Sequence, residues 1–416
     1  MIRANEPRAR ITPANELCAS VASQRSELLD LLATLVGIES HASQPDGVER
    51  VGRAVLEALA GCGIEWKRVR GARPGPEDTW LTELMLPAMP YELVGDVIVG
   101  RRPGRRPRVL LLGDLDTAFP PGSTERFRYR IEGDRAYGPG IADMKGGLVA
   151  LVSALRALPR SESPTLTIVL SPDEQAGSLS SRSVIEAAAR EADYCLCLEC
   201  ARDGGNLMGA RAHIGVARLD VYGREAHAGS AHVSGASALN ALARQIVALD
   251  ALSDAEAGLY VTATLAAAGW RRSVVPGHAW CVVDVRAPDA AAWAELEQRI
   301  VAIAADVRVA DTRAELRIRA HRPAVPWSEG TDHLLTAARR AGDAAGIRFG
   351  AIRSSAAGSS AFPGALGLPT LDGMGPAGGD LMTDQEHIEV GSIEERATLL
   401  ALTLRELAQE NGGQDA

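Results

Sequence analysis

Leucines at helical spacing across residues 26–36, and a second apolar stripe over 48–60 that stops at Gly61 and Gly63, predict N-terminal helices. From residue 109 the pattern changes to short continuous apolar runs at 109–112, 166–170 and 194–198, separated by helical stretches at 146–158 and 181–190. Runs of this kind are strands buried on both faces, so they predict an α/β unit with a mostly parallel sheet covered by helices. After Gly204-Gly205 the order becomes strand 216–222, helix 236–249, strand 260–266, strand 280–286, helix 290–305 and strand 314–318. That β-α-β-β-α-β order is the ferredoxin-like unit. Because helical patterning resumes at 332–345 and closes the chain at 393–409, this unit reads as an insertion. The domains are then 1–208 with 322–416, a discontinuous α/β domain, and 209–321, the inserted one. A chain of 416 residues suits such a pair.

Composition narrows the partners. The net charge of −9 argues against nucleic acid, whose binders carry a concentrated positive stripe. The basic run Arg101-Arg102-Pro103-Gly104-Arg105-Arg106-Pro107-Arg108 is punctuated by proline and glycine and reads as a solvated hairpin turn. No stretch approaches the roughly 18 apolar residues that cross a bilayer, and residues 1–24 are too polar for a signal-peptide core, so a cytoplasmic protein without a membrane partner is expected. Six cysteines in this length read as reduced thiols. Cys195-x-Cys197-x-x-Cys200 has the look of a metal loop, but it lies on an apolar run, where a free cysteine is a small core residue.

Five segments place acidic, glycine and polar residues at predicted strand ends, where open α/β sheets collect their sites. They are Gly113-Asp114-Leu115-Asp116-Thr117; Gly138-Pro139-Gly140-Ile141-Ala142-Asp143-Met144-Lys145-Gly146-Gly147; Ser171-Pro172-Asp173-Glu174-Gln175-Ala176-Gly177-Ser178; Leu198-Glu199-Cys200; and Met382-Thr383-Asp384-Gln385-Glu386. Carboxylates gathered at neighbouring strand mouths repel one another, so a cation, a cationic substrate or shared protons must compensate.

In this order the segments resemble the zinc-dependent amidohydrolases and exopeptidases that include acetylornithine deacetylase, succinyl-diaminopimelate desuccinylase and bacterial glutamate carboxypeptidase. The family pattern runs His-x-Asp-Thr, Gly-x-Gly-x-x-Asp-Met-Lys-Gly-Gly, Asp-Glu-Glu-x-Gly-Ser, a Glu or Asp followed by Pro, and a late His-Ser-x-x-Glu. Asp143-Met144-Lys145-Gly146-Gly147 and Gly223-Arg224-Glu225-Ala226-His227-Ala228-Gly229 match most specifically, and the resemblance covers nearly the whole chain. It implies a catalytic domain carrying an inserted lid and dimerisation domain, hence a homodimer through residues 209–321.

The departures fall on the metal ligands. The resemblance implies a first zinc held at Asp114, Asp143 and Glu199, and a second at Asp143, Gln175 and Met382. A neutral amide and a thioether are poor zinc ligands, which predicts that the second site is lost and dinuclear zinc absent. Asp114 stands where the family has histidine, so the first site becomes three carboxylates, suited to one hard divalent cation, or else a metal-free acidic pocket. Glu174 matches the family's general base, and Asp116 the carboxylate that orients the missing histidine. His227 matches the lid histidine that stabilises the oxyanion, and Arg286 the arginine that grips a substrate carboxylate. Ser273 replaces a lid asparagine, and Ser360 falls where Gly-Thr-Asp is expected, here Gly358-Ser359-Ser360. The expectation is an enzyme acting on an amide or acyl bond of a small amino-acid-like molecule. The alternatives are a non-hydrolytic enzyme of acyl transfer, condensation or isomerisation on the same scaffold, and an inactive small-molecule-binding homologue.

Overall fold

The apolar runs that read as buried strands become neighbours in one six-stranded sheet. In this computed structural model, which describes residues 12–75, 80–81, 84, 94–202, 204–356 and 358–410, strands Pro164–Ser171, Arg105–Asp114, Tyr194–Cys197 and Thr370–Leu371 lie side by side and run parallel. Val97–Arg102 and Glu65–Val69 extend this sheet as antiparallel strands. Successive side chains of a strand point to opposite faces. Val109, Leu111, Ile168 and Leu196 accordingly join one apolar core, while Leu110, Leu112, Val169 and Cys197 join another on the far side. Over the first core lies helix Gly146–Ala157, in which every residue except Arg156 is buried. It packs against helices Ala14–Ala22, Arg25–Val36, Pro45–Ala58 and Val390–Glu410. A helix apolar on all sides can be stable only when enclosed in this way.

Two expectations are corrected here. Val97–Arg102 and Arg105–Asp114 do not form a hairpin, because Pro164–Ser171 lies between them and pairs with both. Nor is the basic run solvated throughout: Arg102 is buried, and its guanidinium donates to the carbonyls of Leu158 at 2.8 Å and Leu155 at 3.4 Å. A cation at that place satisfies carbonyls left over at the C-terminal end of helix Gly146–Ala157. The sequence pattern also missed helix Ala14–Ala22 and a second sheet, in which Arg130–Glu132, Arg135–Tyr137, His387–Glu389, Gly375–Gly379 and Cys200–Ala201 follow one another. Cys195, Cys197 and Cys200 are free and buried, and burial pushes their thiols up, that of Cys200 to about 12.

By its contacts the chain divides into Met1–Gly209 with Trp327–Ile352 and Phe362–Ala416, and Ala210–Pro326 with Arg353–Ala361. The second unit holds a four-stranded antiparallel sheet in the order Tyr260–Ala268, His278–Ala287, His213–Tyr222, Arg313–Arg322. Helices Ala238–Asp250 and Ala290–Ala305 share its apolar core. Each is started by a side-chain cap, Ser237 accepting from Asn240 N–H and Asp289 from Ala292 N–H. Its edge strands differ: Arg313–Arg322 alternates arginine and glutamate with apolar residues, whereas Tyr260–Ala268 carries no charge.

Candidate active site

Three adjacent parallel strands deliver their carboxylates to one place. Asp114 is the last residue of Arg105–Asp114, Glu174 follows Pro164–Ser171 by one short turn, and Glu199 stands two residues beyond Tyr194–Cys197. Oxygens of Asp114, Glu174 and Glu199 lie within 4.8 Å of one another, and all three residues are buried. Among the described residues this is a group that can hold a metal ion. It differs from the expected ligand set in containing Glu174 instead of Asp143.

Glu174 reaches this position through Asp116. One oxygen of Asp116 accepts Glu174 N–H and the other accepts Gln175 N–H, each at 2.9 Å. With no histidine at position 114 to orient, Asp116 instead fixes the backbone of the turn that carries the candidate base. The turn is closed further by Ser180 N–H donating to Asp173 at 2.7 Å and Ser178 N–H donating to the Asp173 carbonyl at 2.7 Å. Burial, then Glu174 and Asp173, push the Asp116 carboxyl well above the usual range, against the pull of its two backbone donors.

Asp143 sits beside the trio in the glycine-lined turn before helix Gly146–Ala157, and its peptide bond to Met144 is cis. Gly140 adopts φ 71°, and a Cβ there would lie 2.2 Å from the Thr117 side chain. At Gly147 a Cβ would lie 2.0 Å from the Leu198 carbonyl, one residue before Glu199, so the helix start approaches the strand end as only glycine permits. Burial, then Glu199, Glu174 and Glu386, push the Asp143 carboxyl well up, and Arg202 opposes them. Asp143 Oδ1 accepts a hydrogen bond from Gln175 Nε2 at 3.0 Å.

Glu386 ties this half together. Its Oε1 accepts Ala142 N–H at 2.9 Å and Asp143 N–H at 3.2 Å, while Oε2 accepts Met382 N–H at 2.9 Å. Burial lifts its carboxyl to about 7 although those three donors and Lys145 favour the charged form. Lys145, whose ammonium donates to the Ile38 carbonyl at 2.8 Å, is brought down to about 7 by burial. Met382 itself is 58 % exposed at φ 62°. The sequence reading gave no role to Glu386 or Arg202. Glu386 is the final Glu of the late motif, which was a usable signal, whereas nothing in the sequence marked Arg202.

In the inserted unit, His227 is exposed and lies on Ala226–His227, paired with Val274–Val275. Its Nδ1 accepts Gly229 N–H and Ser230 N–H, both at 3.1 Å, which fixes the ring and leaves Nε2 as the donor. Ser273 is adjacent, its carbonyl accepting Ala228 N–H at 2.9 Å. Arg286 is engaged by Asp284 through Nε at 2.8 Å and Nη2 at 3.4 Å, and by the Ser355 carbonyl through Nη1 at 3.0 Å. Ser359 and Ser360 are buried in the turn before helix Ala361–Ala365.

A family model described as peptidase family M20/M25/M40 matches residues 110–406. Carboxypeptidase G2 from Pseudomonas sp. (strain RS-16) is 28% identical over 407 residues, covering 94% of this chain and 92% of that protein. An M20 family metallo-carboxypeptidase from Sulfolobus solfataricus superimposes with a TM-score of 0.72 at 15% identity, over 92% of this chain and 99% of that one. A dinuclear metal-binding M20 peptidase from Bacillus subtilis gives a TM-score of 0.64 at 16% identity, over 93% and 99%.

Proposed function

The chain belongs to peptidase family M20/M25/M40, and from that premise we propose that it hydrolyses an amide or acyl bond of a small amino-acid-like substrate at a centre reduced to one cation. The observation that carries this reading is the buried trio of Asp114, Glu174 and Glu199, with oxygens within 4.8 Å of one another. Its donors are all hard oxygens, which fit one divalent cation of the magnesium or manganese kind. They do not fit a zinc pair. Asp143, which would be shared by a pair of ions, has its Oδ1 accepting from the Gln175 amide, and Met382 is largely exposed. A cation held by Asp114 and Glu199, with Asp143 beside them, would supply Lewis-acid polarisation of the scissile carbonyl and leave Glu174 to act as the base.

The chain's own groups do the remaining work. Glu174, held in place by Asp116 from behind, takes a proton from the attacking water and returns it to the leaving amine. In the inserted unit, His227 Nε2–H is the donor offered to the oxyanion. Arg286 anchors a substrate carboxylate by exchanging Asp284 for it, with Ser273 and Ser360 as polar contacts. The uncharged edge strand Tyr260–Ala268, where Leu265 is 53 % exposed, supports a homodimer paired edge to edge through the inserted unit. Among the described residues no helix is long and apolar enough to cross a membrane.

The test is a panel of N-acyl amino acids and dipeptides assayed for released amine, with magnesium, manganese or zinc added and metal counted on the purified protein. Release of amine by a form holding one ion per chain is the expected result. Two ions per chain would overturn the reduced centre. Thermal stabilisation by a panel member without product would replace the hydrolase by a binding homologue.

A further inference from the structure

We propose that the Gln175 carboxamide is an internal substitute for a second cation, a positioning residue that holds Asp143 by a hydrogen bond where a carboxylate at the same place would require an ion. The proposal deepens the one-cation reading and rests on it. Gln175 is fixed at both ends: its N–H donates to Asp116 at 2.9 Å, and its Nε2 donates to Asp143 Oδ1 at 3.0 Å. Asp143 is fixed in turn by its own N–H on Glu386, which also holds the loop of Met382. Three loops are thus joined by hydrogen bonds, with no ion required between them.

The chemistry turns on one group of atoms. Glutamate has the shape of glutamine but no donor, so at position 175 it would set a carboxylate oxygen against that of Asp143 at hydrogen-bond distance. Asp143 is only 7 % exposed, and two like charges there must share a proton or take up a cation. The amide removes that demand while preserving the contact. Asp143 then keeps its orientation whether or not metal is available.

The experiment compares full-length wild type with Gln175→Glu and Met382→His. Each is dialysed against manganese or zinc, freed of excess, counted for metal, and melted with and without chelator. Gln175→Glu should hold one ion more than wild type and should melt several degrees lower than wild type in chelator, with most of that loss recovered on adding metal. Met382→His, with the amide still in place, should gain no ion. An equal melting temperature for wild type and Gln175→Glu in chelator, an unchanged ion count in Gln175→Glu, or an extra ion in Met382→His would each overturn the substitution. Should Gln175→Glu not accumulate as folded protein, the ion count of Met382→His decides alone. A wild type with no ion, beside a Gln175→Glu that still gains one, would defeat the one-cation reading and leave this inference standing.

Discussion

The two halves of the candidate centre are built differently. Asp114 ends one of three adjacent parallel strands, and Glu174 and Glu199 follow the other two by three and two residues, so the register of those strands, fixed by ladder hydrogen bonds and by apolar cores on both faces, sets where all three arrive. Asp143, Gln175 and Met382 are carried by turns and loops, and what joins them is a set of side-chain hydrogen bonds centred on Asp116 and Glu386. The half set by strand register carries carboxylates that converge. The other half carries an amide and an exposed thioether. Ladder pairing therefore brings Asp114 and the short segments bearing Glu174 and Glu199 together, whereas Gln175 reaches Asp143 through its own side chain.

The largest effect expected from this contrast is on Glu174→Gln, which should lower turnover of any substrate by about 10²–10⁴-fold while its binding is nearly retained. Unchanged turnover would remove Glu174 from the chemistry and the half set by strand register from its central place. Gly147→Ala comes next. Its Cβ would meet the Leu198 carbonyl at 2.0 Å, and helix and strand end must separate, at a cost of about 3 kcal/mol in urea unfolding. A neutral result would show that the strand ends are more compliant than their register implies. Asp116→Asn tests the link between the halves. One backbone N–H would face an amide N–H, costing about 1–2 kcal/mol and lowering kcat more than it raises KM, since Glu174 would be less well held. Smallest should be Met382→Leu, with stability within about 0.5 kcal/mol of wild type and an unaltered metal count. A lost ion there would make the loop half a ligand site after all.

Much of the fold was legible because its signals are local. Continuous apolar runs marked the parallel strands, and the alternation of strand and helix between residues 213 and 322 gave the inserted unit's order. What was illegible depends on partners distant in sequence. Nothing in residues 97–114 reveals that Pro164–Ser171 will lie between two strands that look like a hairpin. The second sheet is made of pieces such as Arg130–Glu132 and Cys200–Ala201, too short to show any period. At the site, residue types and strand-end positions disclosed the carboxylates, but which three converge is a matter of angstroms. Asp143 was expected in that group and Glu174 is found there. The role of Asp116 was open until its two oxygens were seen to accept from Glu174 and Gln175.

That double acceptance has a consequence for how the tasks of this turn are divided. Because the chain at 174 and 175 is suspended by its amides, a change of side chain at 175 leaves the backbone under Glu174 held and bears on the contact with Asp143. The demand for an ion is thus lodged in one carboxamide at the rim of the turn, separate from the two amides that carry the candidate base.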